Sequence, residues 1–366
     1  MSRRGAGVER GAPRGVDVAA LEQELRRSRL EEAGEGISRA CALNLIVVRP
    51  MVVTSDPADI VAALTADHPC RVFDLALEED PGAGPRAWVA SHCHRPGGGG
   101  RQVCCEQVTL AAGADRLPEA RALIAALLIT DLPTVLWWVG VPPFRSPAFQ
   151  DLASLSDRLV VDSGADAAPP GMLVALAAWR AGAPQGPAPG DLDWRRLSAW
   201  RGLMARPFDS PAERSDLDRL DEIALAWPAP AGSTASSAVY LAAWLASRLD
   251  WRVSGRAAGR VECEAGRRRI GIHFLSTGDS GPCRIHLGMG ERRVVLEAAT
   301  IDGPVLWRES RPGLPEARRV EPTGRIDDVR MLGRELEVPA PDAVYEQALQ
   351  RVGDLAHGLC AEVAPG

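Results

Sequence analysis

The chain has 366 residues, of which 46% are hydrophobic, so it can bury the core of one or two domains. Its formal net charge of -6 argues against nucleic acid as the main partner, because a groove for phosphates usually carries a basic excess. No apolar run approaches the roughly 18 residues of a membrane-spanning helix, and the N-terminus lacks a secretory signal. We therefore expect a cytoplasmic protein without a membrane partner.

The first 36 residues are predicted to form a tail and one short helix. Residues 1–16 have charge but no apolar pattern. Val18, Leu21 and Leu25 then mark one stripe of a helix that ends near Gly34.

Residues 37–180 are predicted to form an α/β domain. The runs LNLIVV, CRVFDLAL, TVLWWVG and RLVVDSG indicate strands, and RLPEARALIAALLI and SPAFQDLASL indicate helices. The runs AWVASHCH and QVCCEQVTL indicate a hairpin with a glycine-rich tip. This alternation is typical of a mixed sheet with helices on its faces.

Residues 190–366 are predicted to form a second domain of α+β class, after a proline- and glycine-rich segment. LDWRRLSAWRGLM places Trp194, Leu197, Trp200 and Met204 on one helical face, and SSAVYLAAWLASRL is apolar almost all round. RVECEAGRRRIGIHFLS and CRIHLGMGERRVVLEA then indicate a largely antiparallel sheet with helices packed against it.

The hairpin is dense in cysteine and histidine. If its tip is centred on the four consecutive glycines, Cys93 lies opposite Cys104 and His92 lies opposite Cys105. Because side chains alternate along a strand, His92, His94 and Cys105 share one face, and the other two cysteines share the opposite face. This split disfavours a four-ligand zinc site, so we assign no metal.

The cysteines keep two interpretations open. A disulfide between Cys93 and Cys104 is geometrically feasible, and a reversible redox role for Cys93, Cys104 and Cys105 stands beside the simpler interpretation of buried structural thiols. Cys263 and Cys283 alternate in phase with apolar neighbours, which predicts that both are buried in a sheet.

Other motifs do not make a catalytic site. The hairpin tip between Arg95 and Arg101 lacks the Lys-Ser/Thr ending of a phosphate loop, and we expect it to contact a partner protein. Residues 278–282 read GDSGP, like the nucleophile loop of serine proteases, but their composition predicts a turn between two strands. We therefore expect no cofactor and no enzymatic activity.

Two adjacent tryptophans, Trp137 and Trp138, point to opposite faces of one predicted strand. Either helices cover both indoles, or one indole reaches a cleft or a partner surface, where tryptophan often anchors an interface. The exposed member of this pair, together with Arg95 and Arg101, is our candidate for partner binding.

Five segments in consistent order resemble the OpcA family, the assembly and activator subunits of bacterial glucose-6-phosphate dehydrogenase. They are RACALNLIVV from Arg39, SHCH and GGGGRQVCCEQVTL from Ser91, LLITDLPTVLWWVG from Leu127, DRLVVDSG from Asp157 and LDWRRLSAWR from Leu192. The resemblance covers roughly residues 37–210 closely and the last third more loosely.

This resemblance implies a non-catalytic protein that binds glucose-6-phosphate dehydrogenase, promotes its active oligomer and raises its affinity for substrate. Thioredoxin is a second candidate partner, because thioredoxin-linked cysteines tune activation in photosynthetic members of the family. Two alternatives come from other classes: an enzyme acting on a phosphorylated small molecule through the Cys/His hairpin, and a thiol redox sensor.

Overall fold

The computed structural model describes most of the chain. The described residues are 8–10, 14–15, 18–34, 38–39, 41–51, 63–64, 68–80, 85–94, 103–165, 171–230, 233–323, 327–337 and 340–356. The chain divides into two compact units. The first unit comprises residues 1–161, 183–190 and 328–340, and the second comprises residues 162–182, 191–327 and 341–366.

The regular elements alternate between strands and helices. The strands are β1 (Val8–Arg10), β2 (Arg14–Gly15), β3 (Ser38–Arg39), β4 (Leu43–Pro50), β5 (Cys70–Glu78), β6 (Arg86–His94), β7 (Val103–Gly113), β8 (Thr134–Trp138), β9 (Arg158–Val161), β10 (Ala188–Asp191), β11 (Glu222–Trp227), β12 (Arg252–Ala257), β13 (Arg260–Ala265), β14 (Arg268–Ser276), β15 (Cys283–Met289), β16 (Arg292–Ala298), β17 (Val305–Ser310) and β18 (Ala317–Glu321). The helices are α1 (Val18–Gly34), α2 (Leu117–Leu127), α3 (Pro147–Ala153), α4 (Gly171–Gly182), α5 (Leu192–Arg196), α6 (Ser198–Ala205), α7 (Pro211–Arg214), α8 (Ser236–Arg248), α9 (Asp328–Leu336) and α10 (Ala343–Ala356). No described helix is long and apolar enough to cross a bilayer.

The first unit is built on a mixed ten-stranded sheet. Its main path is β1-β6-β7-β5-β4-β8-β9-β10, with β2 beside β6 and β3 beside β7. The central strands run parallel, and Leu45, Ile46, Val47 and Val48 of β4 are all fully buried. A continuous apolar run, without alternation, is what a parallel strand covered on both faces requires.

The second unit is built on an eight-stranded sheet in the order β12-β13-β14-β11-β15-β16-β17-β18. All neighbours pair antiparallel except β11 and β14, which are parallel. On β14, Ile270, Ile272 and Phe274 are buried whereas the residues between them are more exposed. This alternation places the core on one face of the sheet, where α8 packs against β11 and α10 packs against α8. The predicted fold classes of both halves are confirmed.

Two local predictions need correction. Val8–Arg10 and Arg14–Gly15, expected in a tail, instead pair with β6, whose edge offers free backbone groups. The helix predicted from Leu192 is two helices, because Leu197 has φ −76° and ψ −1° and interrupts the run. Trp194, Leu197, Trp200 and Met204 are nevertheless all buried, as their shared face predicted.

Candidate functional site

The Cys/His hairpin has the register that the sequence predicted. In the pairing of β6 with β7, His92 lies opposite Cys105 and Cys93 lies opposite Cys104. The tip with Arg95 and Arg101 lies outside the described residues, so a partner-binding role for those arginines stays a prediction.

The two neighbouring cysteines of β7 have different chemical states. Cys104 is disulfide-bonded, whereas Cys105 is a free thiol. Both are buried, with relative exposures of 1% and 3%. Within the described part of the chain, no group of three or more His, Cys, Asp or Glu residues could hold a metal ion.

A cavity of about 530 Å³ lies beside β7 in the first unit. One wall is a buried ion pair, in which Arg71 Nε and Nη2 donate to Glu106 Oε2 at 2.9 and 2.5 Å. Arg71 Nη1 also donates to the carbonyl oxygen of Leu127 at 2.7 Å, where α2 ends. The Arg71 guanidinium therefore hydrogen-bonds both a carbonyl at the C-terminus of α2 and the Glu106 carboxylate. These contacts give Arg71 a structural role.

Three cysteines, Cys41, Cys70 and Cys104, also line this cavity. Burial raises the pKa of the Cys41 thiol. The pKa of Cys70 is raised well above its ordinary value, mainly by burial and to a smaller extent by electrostatic repulsion from Cys105 and Cys41. Thiols with raised pKa values stay protonated at neutral pH and are weak nucleophiles. The free thiols of Cys41 and Cys70 are therefore poor candidates for catalytic nucleophiles.

The adjacent tryptophans of β8 are both buried. Trp137 is 6% exposed and Trp138 is 5% exposed. Trp138 packs edge to face on Phe149 of α3, with ring centroids 5.3 Å apart. Of the two interpretations of this pair, coverage of both indoles agrees with the structure, whereas exposure of one does not, and a partner-binding role for the pair stays a prediction.

A group of buried polar side chains, which the sequence interpretation missed, lies at the start of α5. Asp191 caps this helix, since its Oδ1 accepts from the backbone N–H of Asp193 at 2.9 Å. The same oxygen accepts from the backbone N–H of Ser163 at 3.1 Å, and Oδ2 accepts from the hydroxyl of Tyr240 at 2.6 Å. The Tyr240 hydroxyl in turn lies 3.0 Å from that of Tyr345.

The second carboxylate of this group is equally enclosed. Asp193 accepts from the Ser237 hydroxyl at 2.8 and 3.0 Å. Burial raises its pKa to about 6, and burial with the charges of Asp193 and Asp162 raises the pKa of Asp191 to about 8. The spacing D-L-D before an apolar helix could have indicated an N-cap, but no local signal indicates the partners at residues 163, 237, 240 and 345.

Two histidines of the second unit, His273 and His286, lie at a second cavity, of about 510 Å³. His273 of β14 and His286 of β15 both pair with Ala224, on either side of β11. Their strands are two spacings apart, about 10 Å, so the imidazoles do not form a direct acid and base pair. Residues 278–282 form the predicted turn between β14 and β15, with Gly278 at φ +82°.

Comparison with known families gives two matches in chain order. Residues 61–178 match the glucose-6-phosphate dehydrogenase subunit N-terminal domain of the OpcA family. Residues 187–349 match the C-terminal domain of the same family.

Individual relatives agree with these matches. An OxPP cycle protein OpcA of Synechocystis sp. is 28% identical over 326 residues, covering 83% of this chain and 67% of that protein. An OpcA of Nostoc punctiforme is 34% identical over 160 residues, covering 43% of this chain and 34% of that protein. The matches thus span about two thirds of the first relative's length and about one third of the second's.

Among solved structures, a levoglucosan dehydrogenase covers 87% of this chain and 96% of its own, at 9% identity and a TM-score of 0.47. A similarity of that degree carries no argument about chemistry. The two family matches, by contrast, cover both halves of the sequence. The chain belongs to the OpcA family of glucose-6-phosphate dehydrogenase subunits.

Proposed function

We propose that the chain is a non-catalytic assembly factor and allosteric activator of glucose-6-phosphate dehydrogenase. The observation that carries this proposal is the ordered match of both halves to domains of a glucose-6-phosphate dehydrogenase subunit family. The relatives named OxPP cycle proteins support a place in the oxidative pentose phosphate pathway.

The distribution of perturbed ionisable groups supports a binding role over a catalytic one. Asp191 and Asp193, whose pKa values are raised by burial, are fully enclosed. Cys263 and Cys283 lie inside the sheet, where burial raises their pKa values to about 11 and about 12. None of these four residues lines either of the two cavities described above. The perturbed groups that do line a cavity are Cys41, Cys70 and His286, and burial shifts the pKa of each toward its uncharged form, so neither thiol is activated as a thiolate.

The mechanism that we propose is linkage. If the chain binds the active conformation of the dehydrogenase more tightly than the inactive one, it shifts that equilibrium by the difference in binding free energy. A coupling of about 1–3 kcal/mol changes substrate affinity roughly 5- to 150-fold.

The test uses the dehydrogenase of the same organism. Its substrate saturation curve and its oligomer size by light scattering are measured with and without the full chain, with an unrelated protein of similar charge as the control. The proposal predicts a lower half-saturation concentration and a larger or more stable oligomer. It fails if the chain changes neither quantity.

A second candidate function is thiol redox sensing, which the disulfide bond of Cys104 favours. Cys93 lies opposite Cys104 in the strand register, and we propose it as the bonded partner. Thioredoxin is then the candidate reductant. The burial of Cys104 predicts slow reduction in the folded protein, because a reducing thiolate must reach the sulfur.

A further inference from the structure

The sheet of the second unit has one covered face and one open face. On β14, Ile272 and Phe274 point to the covered face and are at most 5% exposed, whereas Leu275 of the open face is 52% exposed. On β18, at the sheet edge, Val320 of the open face is 68% exposed. We use "open face" for the side chains of β11 and β13–β18 that alternate with the buried ones.

The open face is close in size to a specific protein interface. Its seven strands, about 4.8 Å apart and each about 20 Å long, present about 670 Å². A stable interface buries about 800 Å² on each partner. Two large apolar side chains on it are strongly exposed, and Val295 and Leu306 are half-buried between charged neighbours.

The charges of the open face set the chemistry of its partner. Its arginines are Arg260, Arg269, Arg284, Arg293, Arg308 and Arg318, and its glutamates are Glu222, Glu262, Glu264 and Glu297. The face is therefore net positive, whereas the whole chain has a net charge of -6. Two copies stacked face to face would bring like charges together, which disfavours self-association.

Many of these charges are already neutralised within the sheet. Glu297 accepts from Arg284 at 2.7 Å and from Arg308 at 3.1 Å, so a docking protein does not have to strip water from isolated charges there. Arg293 is exposed and has no ion-pair partner among the described residues. It lies beside the second cavity and is the cation on this face most available to a partner carboxylate.

We propose that the open face docks the dehydrogenase through a patch of that enzyme that is net acidic and partly apolar. This inference rests on the proposed function and adds the surface that performs it. Arg293 and Leu275 are its main contact residues, because Arg293 is an exposed arginine, a residue type enriched among the strongest interface contacts, and Leu275 is a strongly exposed apolar side chain.

The experiment measures the dissociation constant between the full chain and the dehydrogenase of the same organism. Arg293→Glu and Leu275→Glu are the test variants, and Arg248→Glu and Val344→Glu are matched controls on α8 and α10, which cover the other face. Both test residues are exposed on different strands, so thermal unfolding should remain close to that of the natural chain.

The proposal predicts that each test variant weakens binding at least tenfold, while the controls stay within twofold. Raising the ionic strength weakens the natural complex more than it weakens the Arg293→Glu complex, because the variant has lost the attractive charge. If the natural chain binds and both test variants bind equally tightly, the surface assignment is overturned and the proposed function survives.

Two other outcomes also overturn the assignment. If the natural chain does not bind the dehydrogenase at all, the proposed function falls with it. If the chain alone sediments as a dimer that Arg293→Glu converts to a monomer, then the occupant of the open face is a second copy.

Discussion

The Tyr240 hydroxyl lies 2.6 Å from the Asp191 carboxylate, and both residues have 0% exposure. Burial raises the pKa of Asp191 to about 8, from an ordinary value of 3.8. The folded chain therefore holds a proton that the unfolded chain releases near pH 4. As pH rises from about 4 to about 8, the contribution of Asp191 to the free energy of unfolding decreases, and it levels off above the folded pKa.

Asp191→Asn should cancel this decrease, since an amide imitates the protonated acid and its oxygen still accepts from Ser163 and Asp193. We expect the variant to gain about 2 kcal/mol over the natural chain between pH 6 and pH 8.5. Urea unfolding at both pH values measures the change. Asp279→Asn, on the exposed turn after β14, is the control, and a difference that is constant with pH would refute the prediction.

A buried ion pair in the first unit gives a second prediction. Arg158 Nε and Nη2 donate to Glu335 Oε2 at 2.9 and 2.5 Å, and the two side chains are 6% and 1% exposed. Removing one partner leaves a buried charge, so Arg158→Met or Glu335→Leu alone should each cost about 3–5 kcal/mol.

The double variant Arg158→Met/Glu335→Leu is the test of that reasoning. Because it removes both charges of the Arg158–Glu335 pair, we expect it to be more stable than either single variant in chemical denaturation. Additive losses in the double variant would show that the two side chains act independently.

The close approach of Gly164 to Asp193 gives a third prediction. A Cβ at residue 164 would lie 2.5 Å from both Cγ and Oδ1 of Asp193, which Ser237 holds in place. Gly164→Ala should therefore cost about 1–3 kcal/mol. Gly182→Ala is the matched control, because its Cβ meets nothing within 4 Å, and it should be neutral or slightly stabilising. Equal melting temperatures for the two variants would contradict the clash.

The disulfide of Cys104 gives a fourth prediction. If Cys93 is the partner, Cys93→Ser and Cys104→Ser should lower stability equally in oxidising buffer, by about 2–4 kcal/mol, and differ much less from the natural chain in reducing buffer. Cys41→Ser, at a free thiol that takes no part in a disulfide, is the control. Unequal losses would mean that Cys104 has another partner or that the bond does not form in solution.

Local patterns predicted much of this fold. The pairing of Cys93 with Cys104 follows from the symmetry of the hairpin about its glycines, and the burial of Cys263 and Cys283 follows from alternation along a strand. Both depend only on residues close in sequence, where the period of the side chains is fixed.

Features that depend on distant residues escaped the sequence interpretation. The hydrogen bonds of Asp191 depend on Ser163 and Tyr240, 28 and 49 positions away. For Trp137 and Trp138, burial of both indoles and exposure of one stayed alternatives, because the choice depends on which helices cover each face of their sheet. The strong exposure of Leu275 was also missed, because the alternation of β14 shows which side is apolar but not how exposed the other side is.

The proposed activation requires linkage between this chain and the dehydrogenase. Coupling free energies are reciprocal. If the chain increases the enzyme's affinity for substrate by a given factor, substrate must increase the enzyme's affinity for the chain by the same factor. The direct measurement is the dissociation constant of the full chain from the dehydrogenase, with and without saturating substrate. We predict that saturating substrate lowers the dissociation constant of the chain. The expected factor is the same as that by which the chain lowers the dissociation constant of the substrate. A dissociation constant that is the same with and without substrate would contradict the proposed linkage.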